Sequence, residues 1–361
     1  MKKLAIFLLP LALLFAACEE DSSSNPCESD YDQQALFQNL ADGVILPAYA
    51  QMETSAAALD EAAQAFTNAP SAAGLTALRE AFRTAYLDWQ AVAQYEFGPA
   101  EERALRATLN NFPLNAQALE NKIAAADYDF TNPNTFDKGF PALDYLLYGL
   151  GDGTDTAVLD QLSEAAYADF LSAQTAFILE AVQAVRSAWA DGYREGFIAN
   201  TGTAAGTALS LAINGLNEHY ETIKRDKIGV PSGVVTLGFT NPAKVEARYS
   251  GLSLELAIAA TEAAEQFYTG GSGAGLDDYL EAVNATKEGE SLSARILAQF
   301  DAALAALAEI EGPLQDAVEE NNEATVTAYN ELTKQIVNIK TDMPSVLCVA
   351  ITYIDNPSDS D

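Results

Sequence analysis

Positive charge is what this chain most lacks: 19 Lys and Arg stand against 52 Asp and Glu, for a formal net charge of −33. Nucleic acid is a poor partner for such a chain, because phosphate binding requires clustered cations that release counterions. Histidine is scarcer still, since His219 is alone. A catalytic zinc site built on imidazoles therefore lacks its parts. The three cysteines, Cys18, Cys27 and Cys348, form no Cys/His cluster suited to zinc, and thiol catalysis has no evident partner. There is no Gly-x-Ser-x-Gly elbow and no phosphate-binding loop. The run Gly270-Gly271-Ser272-Gly273-Ala274-Gly275 follows a helix, carries no Lys and reads as a flexible linker. The apolar run from Leu4 to Ala17 is too short to cross a hydrocarbon core of roughly 30 Å as a helix.

What that run does fit is an export signal. Met1-Lys2-Lys3 supplies positive charge, and Ala16-Ala17-Cys18 supplies the small residues that precede a lipidated cysteine. Residues 1–17 therefore read as a signal peptide and Cys18 as the lipidation site of an outer-membrane lipoprotein, facing the periplasm or the cell surface. Residues 18–30 form a polar tether. Glu19, Glu20 and Asp21 resemble the surface-export signal of Bacteroidetes-type lipoproteins, and read equally as solvated linker. Loss of the signal leaves 17 basic residues against 52 acidic ones, a net of about −35. That charge serves solubility, and could also draw cations to the surface.

Cys27 and Cys348 lie near the two ends of the mature body, in an oxidising compartment. A disulfide joining the termini is one reading, and two buried free thiols the other. Ala is abundant and β-branched runs are few, so helix should dominate. Apolar residues recur at helical spacing from Asp32 to Phe66, with Pro47 marking a kink or break. Ser71 offers an N-cap to a helix whose Leu75, Leu78, Phe82, Tyr86, Trp89 and Val92 share one face. A short helix is predicted up to about Ile123, another over 137–150, and a long one over 156–190. Further helices are predicted near 201–225, 242–268, 274–287, 290–311 and 314–341. In the last, Val326, Tyr329, Leu332, Ile336 and Ile339 form the expected core stripe. Residues 227–242 read as a loop or short hairpin. The predicted fold is all-α, two packed four-helix-bundle-like domains over 31–195 and 196–348, with an acidic tail over 349–361.

The segment Lys138-Gly139-Phe140-Pro141-Ala142-Leu143-Asp144-Tyr145-Leu146-Leu147-Tyr148-Gly149 carries the most information. It resembles the hallmark of the imelysin family, Gly-x-His-x-x-Glu running into Leu-Leu and Gly. Trp89 with Glu96-Phe97-Gly98-Pro99, the loop Asn111-Phe112-Pro113, the pattern Arg225-x-Lys227-x-Gly229-x-Pro231, and Pro242 with Val245 to Leu254 are similar to other family segments, in the same order. The resemblance implies paired helical bundles, export, linkage to iron or haem uptake, and a metal or ligand site near the domain interface. It also implies a peptidase class whose activity is poorly supported for many members.

The chain departs from the hallmark where it matters, with Pro141 for His and Asp144 for Glu. Pro141 brings no donor atom, and suits a first helical turn. Asp144 then reads either as a charge-compatible residue near a helix N-terminus or as a ligand. Glu96, Asp144 and Glu246 are the acids within matched segments and are the candidate metal ligands, for iron or another hard cation. Asn111, Tyr145, Arg248 and Ser250 join them as candidate ligand-binding residues. Tyr86, Tyr95, Tyr145, Tyr148 and Tyr249 could line a cleft for a haem-like ligand or fill the core. The resulting expectation is a lipoprotein, without catalysis, that assists capture of iron, haem or another metal complex beside an outer-membrane transporter. The alternatives are a metal-dependent peptidase and a scaffold whose site has decayed.

Overall fold

The structure is a computed structural model and describes Cys27 and residues 29–353. The predicted signal peptide, the predicted lipidation site Cys18 and the last residues of the predicted acidic tail lie outside the described residues. The fold is all-α, apart from a two-residue antiparallel pairing of Thr286–Lys287 with Glu290–Ser291.

Helix α1 (Gln33–Asn39) begins where the Asp32 carboxylate accepts the Ala35 N–H at 3.0 Å. A π-helical turn over Leu40–Ile45 leads directly into α2 (Leu46–Asn68). Pro47 sits at the start of α2, where an N–H would be dispensable, so the chain runs on instead of breaking. In α3 (Ala72–Val92), Ser71 accepts the Gly74 N–H at 3.1 Å, and the whole predicted stripe from Leu75 to Val92 is buried. Short helices α4 (Leu105–Leu109), α5 (Ala116–Ala125) and α6 (Gly139–Tyr148) follow. The single helix predicted over 156–190 is two, α7 (Asp155–Leu162) and α8 (Ala165–Ala188). Glu164 takes an extended conformation between them, turning the chain so that both Leu162 and Phe170 are buried. A kink at Asp191 and Gly192 precedes α9 (Arg194–Ala199).

In the second half, α10 (Ala208–Thr222) passes through a π-helical turn, Ile223–Gly229, into the three-residue α11 (Val230–Ser232). Then come α12 (Ser253–Thr269), α13 (Leu276–Ala282), α14 (Leu292–Ala308), α15 (Leu314–Glu320), α16 (Glu323–Ile336) and α17 (Met343–Val346). Several predicted spans were too long: the helix predicted from 201 starts at Ala208, and the one predicted to 287 ends at Ala282, before the strand Thr286–Lys287. Residues 227–242, read as a loop or hairpin, are helical as far as Ser232. A 3-10 turn over Pro242–Lys244 and further turns follow, with Ala247 and Gly251 in the left-handed region, so α12 starts eleven residues after Pro242. The 314–341 helix is interrupted at Asn321 and Asn322, and the Asn322 amide donates to the Ser232 carbonyl at 2.6 Å. The buried face of α16 is also rotated from the predicted stripe: Thr325, Ala328, Leu332 and Gln335 are inside, while Val326, Tyr329 and Ile336 are half-buried. Gln335 is accommodated by donating to the Ile296 carbonyl at 2.9 Å.

Helix α2 packs against both α3 and α8, and α14 against both α12 and α16, with α10 beside α12 and α16. Helix α12 also lies against α3, and one contiguous apolar core runs from Leu36 to Val349. Cys27 and Cys348 are joined, with their Cα atoms 5.5 Å apart. The functional candidates gather where α3, α4 and α6 meet the turns before α12.

Candidate functional site

Gly139 opens α6 at φ +72°, and a Cβ there would lie 2.0 Å from the Leu109 carbonyl oxygen. Only glycine permits both that angle and that approach. Its N–H donates to the Gln174 side chain at 3.2 Å. Phe140 stacks on Tyr86 with ring centroids 4.6 Å apart and contacts Trp89, so two of the matched segments meet in one aromatic layer. Pro141 falls in the first turn, buried.

One turn later, Asp144 is 2 % exposed. Its two carboxylate oxygens accept the backbone N–H groups of Tyr249 at 3.0 Å and Ser250 at 2.9 Å. Asp144 thus ties the first half of the chain to the turns of the second. Burial pushes its carboxyl up to about 6, against the pull of those hydrogen bonds, and the nearby Glu246 charge raises it further. The remaining residues of this patch lie at its rim. The Tyr145 hydroxyl donates to Glu120 at 2.7 Å and its ring meets Tyr249 edge-on at 5.2 Å. The Arg248 guanidinium lies over the Tyr249 ring, 4.4 Å from its centroid. The Ser250 hydroxyl donates to the Ala247 carbonyl at 3.2 Å.

Glu246 is the centre of a second buried network. Its carboxylate accepts from the Asn110 amide at 2.8 Å and is paired with the Lys227 ammonium, while the Tyr86 hydroxyl donates to the Asn110 side-chain oxygen at 2.7 Å and lies 3.2 Å from the carboxylate. Lys227, also buried, donates to Gln90 at 3.0 Å and lies 5.7 Å from the centroid of the Phe112 ring. Burial and the Glu246 charge push the Tyr86 hydroxyl well above its ordinary value, so it stays a donor. The ammonium occupies the place among these acceptors that a cation would otherwise take.

Beside this network opens a cavity of about 440 Å³, lined by Arg106, Asn110, Asn111, Phe112, Pro113, Glu218, Glu221, Arg225, Asp226, Val230 and Lys244 among others. Arg106 pairs with Glu218, Arg225 with Asp226, and Glu221 with both Lys224 and Lys340. Lys244 has no ion-pair partner among the described residues, and Arg106 Nη1 is buried without a hydrogen bond. Glu96 lies on the inner side of Arg106: its carboxylate accepts the Arg106 backbone N–H at 3.0 Å and so caps α4. Burial raises Glu96 to about 7, while the Arg106 charge acts in the opposite direction. Asn111, at the cavity wall, donates its amide to the Pro133 and Thr135 carbonyls at 3.3 and 3.2 Å rather than to the Glu246 network.

The structure brings Asp144 and Glu246 close enough to influence each other, but it gives Glu96, Asp144 and Glu246 separate donors. Among the described residues no group of three or more His, Cys, Asp or Glu side chains is placed to hold a metal. His219 is fully buried, and burial, with Arg106 and Lys227 nearby, holds it neutral well below its ordinary value. Neither ring nitrogen has a well-formed hydrogen bond, and the Ala260 carbonyl is the neighbour that favours its proton. Of the five tyrosines proposed for a cleft, Tyr86 and Tyr95 are core, and Tyr145, Tyr148 and Tyr249 are half-buried. Sequence reasoning missed Arg106, Asn110 and Gln90. Arg106 and Asn110 sit just before the Asn-Phe-Pro loop, a position that was the available signal.

A family model for imelysin matches residues 45–339, most of the chain. The chain belongs to the imelysin family. Iron-regulated protein A of Synechococcus elongatus is 26 % identical over 227 residues, 61 % of this chain; the chain spans 59 % of that relative's length. Two solved structures share the fold. A Parabacteroides distasonis protein described as an iron-regulated protein A precursor aligns with TM-score 0.76 and 20 % identity, covering 90 % of this chain and 97 % of the other. An imelysin-like protein of Psychrobacter arcticum aligns with TM-score 0.70 and 18 % identity, over 90 % and 98 %.

In this imelysin the hallmark-like segment is held by its glycines. Gly139 and Gly149 are required by close approach, since a Cβ on Gly149 would lie 2.5 Å from the Tyr249 ring. Within it, Pro141 offers no donor atom and the Asp144 carboxylate is taken up by two backbone donors.

Proposed function

We propose that this imelysin is a lipid-anchored envelope protein that binds a small anionic, carboxylate-bearing complex of iron or another metal, without catalysis, for hand-over to an outer-membrane transporter. One observation carries the ligand class. In a chain of 19 cationic side chains, Arg106, Lys224, Arg225, Lys227, Lys244 and Lys340 surround or underlie one cavity. At the cavity wall itself Arg106, Arg225 and Lys244 balance Glu218, Glu221 and Asp226, and the exposed Lys244 is without an ion-pair partner among the described residues, so the cavity is charge-balanced on a strongly acidic body. Such a site admits anions that the rest of the surface repels. A cavity of this volume suits a compact ligand. The iron-regulated name of the relatives supports the metal. Asp144 and Glu246 are buried and engaged, and His219 is buried outside the cavity lining, which supports binding over hydrolysis, since none is a free base at the cavity.

The test is calorimetric titration of lipid-free residues 19–361 with ferric citrate and with citrate alone. Ferric citrate should bind, and Arg106→Ala with Arg225→Ala should weaken it at least about ten-fold, the equivalent of one lost charge-assisted hydrogen bond or more. Absence of heat with either titrant would overturn the ligand class. Chelator-sensitive hydrolysis of a peptide library would overturn the absence of catalysis.

A further inference from the structure

The most exposed large apolar side chains described are Leu237, at 94 %, and Phe239, at 74 %; Val234 and Val235 beside them are more than one-third exposed. All four lie in the loop between α11 and Lys244. From Ile228 to Ala243 the chain has no charged residue. The loop is held by its own hydrogen bonds: Asn241 N–H to the Pro231 carbonyl at 2.8 Å, Gly238 N–H to the Gly233 carbonyl at 2.8 Å, and the Thr236 hydroxyl to the Phe239 carbonyl at 2.6 Å. Leu237 itself is held at φ +57°. A rigid loop that keeps two large apolar side chains in water has a use for them there.

We propose that this loop is a membrane-contact element, which inserts Leu237 and Phe239 into the interfacial layer of a lipid bilayer. Two observations favour lipid over protein. The exposed apolar residues are confined to one short loop, whereas a stable protein interface needs roughly 800 Å² of fitted surface on each partner. And the loop's stem carries the exposed Lys244, which has no ion-pair partner among the described residues, the combination of apolar tip and flanking cation that suits an anionic lipid surface.

The reach of the chain agrees. Cys27 lies beside Thr201 to Thr203, at the entry to α10. Helix α10 and its π-helical turn lead from there to the loop's base, about 30 Å at the usual helical rise. The nine residues from Cys18 to Cys27 span a similar distance when extended, about 30 Å. The bilayer that holds Cys18 is therefore within reach of the loop tip. Only this point rests on the lipoprotein reading. Val230 and Lys244, the two stems of the loop, also line the cavity, so insertion would turn the cavity's rim toward the lipid.

The test uses lipid-free residues 19–361, which retain every described residue, so that the anchor contributes nothing. In flotation with phosphatidylethanolamine/phosphatidylglycerol vesicles the protein should co-float. Leu237→Ser with Phe239→Ser should reduce partitioning at least about ten-fold at unchanged far-ultraviolet circular dichroism. Leu237→Trp should give a blue-shifted emission on adding vesicles. Failure to co-float, equal partitioning of the double variant, or an unshifted emission from the Leu237→Trp variant overturns the proposal. So does concentration-dependent self-association that the double variant abolishes, which would make a second copy the occupant. Membrane fractionation of lipidated protein and its Cys18→Ala variant tests the anchor separately, and neither result determines the other.

Discussion

Replacing Lys227 by Met should be among the most damaging single changes to this protein, although it removes a charge from the interior. The Lys227 ammonium and the Glu246 carboxylate are both buried and paired. Removing one partner leaves the other charged and uncompensated, at a cost of about 3–5 kcal/mol. The Asn110 amide at 2.8 Å would still donate to Glu246, and the Tyr86 hydroxyl, now 2.7 Å from the Asn110 oxygen and 3.2 Å from Glu246, could turn to it, which sets the expectation toward the lower end. With a urea slope of about 3 kcal/mol/M, the midpoint should fall by roughly 1 M or more. Adding Glu246→Gln keeps an acceptor for both donors while discharging the site, so the double variant should recover at least about 2 kcal/mol relative to the sum of the singles. Equilibrium urea denaturation of the four proteins with the disulfide intact measures each term. A Lys227→Met cost below about 1 kcal/mol, or additive singles, would refute the view that these two charges form one unit.

Two further changes probe the hallmark segment. Asp144→Asn places an amide NH₂ against one of the N–H groups of Tyr249 and Ser250, and should cost about 1–3 kcal/mol near pH 7.5. The folded carboxyl at about 6 lies above its unfolded value near 4, so the native state takes up the proton first and this group adds stability as pH falls through 6. Asn cannot do so; the stability gap between the two proteins should widen from pH 7.5 to pH 5, and denaturation curves showing it narrow would contradict the assignment. Gly139→Ala forces a Cβ to within 2.0 Å of the Leu109 carbonyl oxygen at positive φ, and should destabilise by at least about 3 kcal/mol; a thermal midpoint within a degree of the parent would show that α6 can shift freely.

Much of the scaffold was legible because periodic apolar spacing is a local signal. The α3 stripe needed only Ser71 and the three-and-four spacing from Leu75 to Val92. Where the reading failed, distant contacts decided. Nothing near Glu164 signals the break between α7 and α8, and nothing near Thr325 signals that a threonine and Gln335 would replace Val326 and Ile336 inside. Among site residues, the order of the matched segments brought out Asp144 and Glu246, but not what they do. That Asp144 would spend both oxygens on a turn 105 residues away, and that Lys227 would be buried against Glu246, depends on tertiary placement that no spacing rule encodes. The glycines have the plainest physical reason: a Cβ at Gly139 or Gly149 would collide with the Leu109 carbonyl or the Tyr249 ring.

The bond between Cys27 and Cys348 has a consequence beyond stability. It spans 321 residues and encloses every described helix of the body. A protease that cuts any single loop between these cysteines, including the exposed tip at Leu237, therefore releases nothing. The two fragments stay covalently joined, and whatever holds the N-terminus holds both. Shedding of this protein requires a second event, either cleavage before Cys27 or reduction of the bond. A nick would be visible only on a reducing gel.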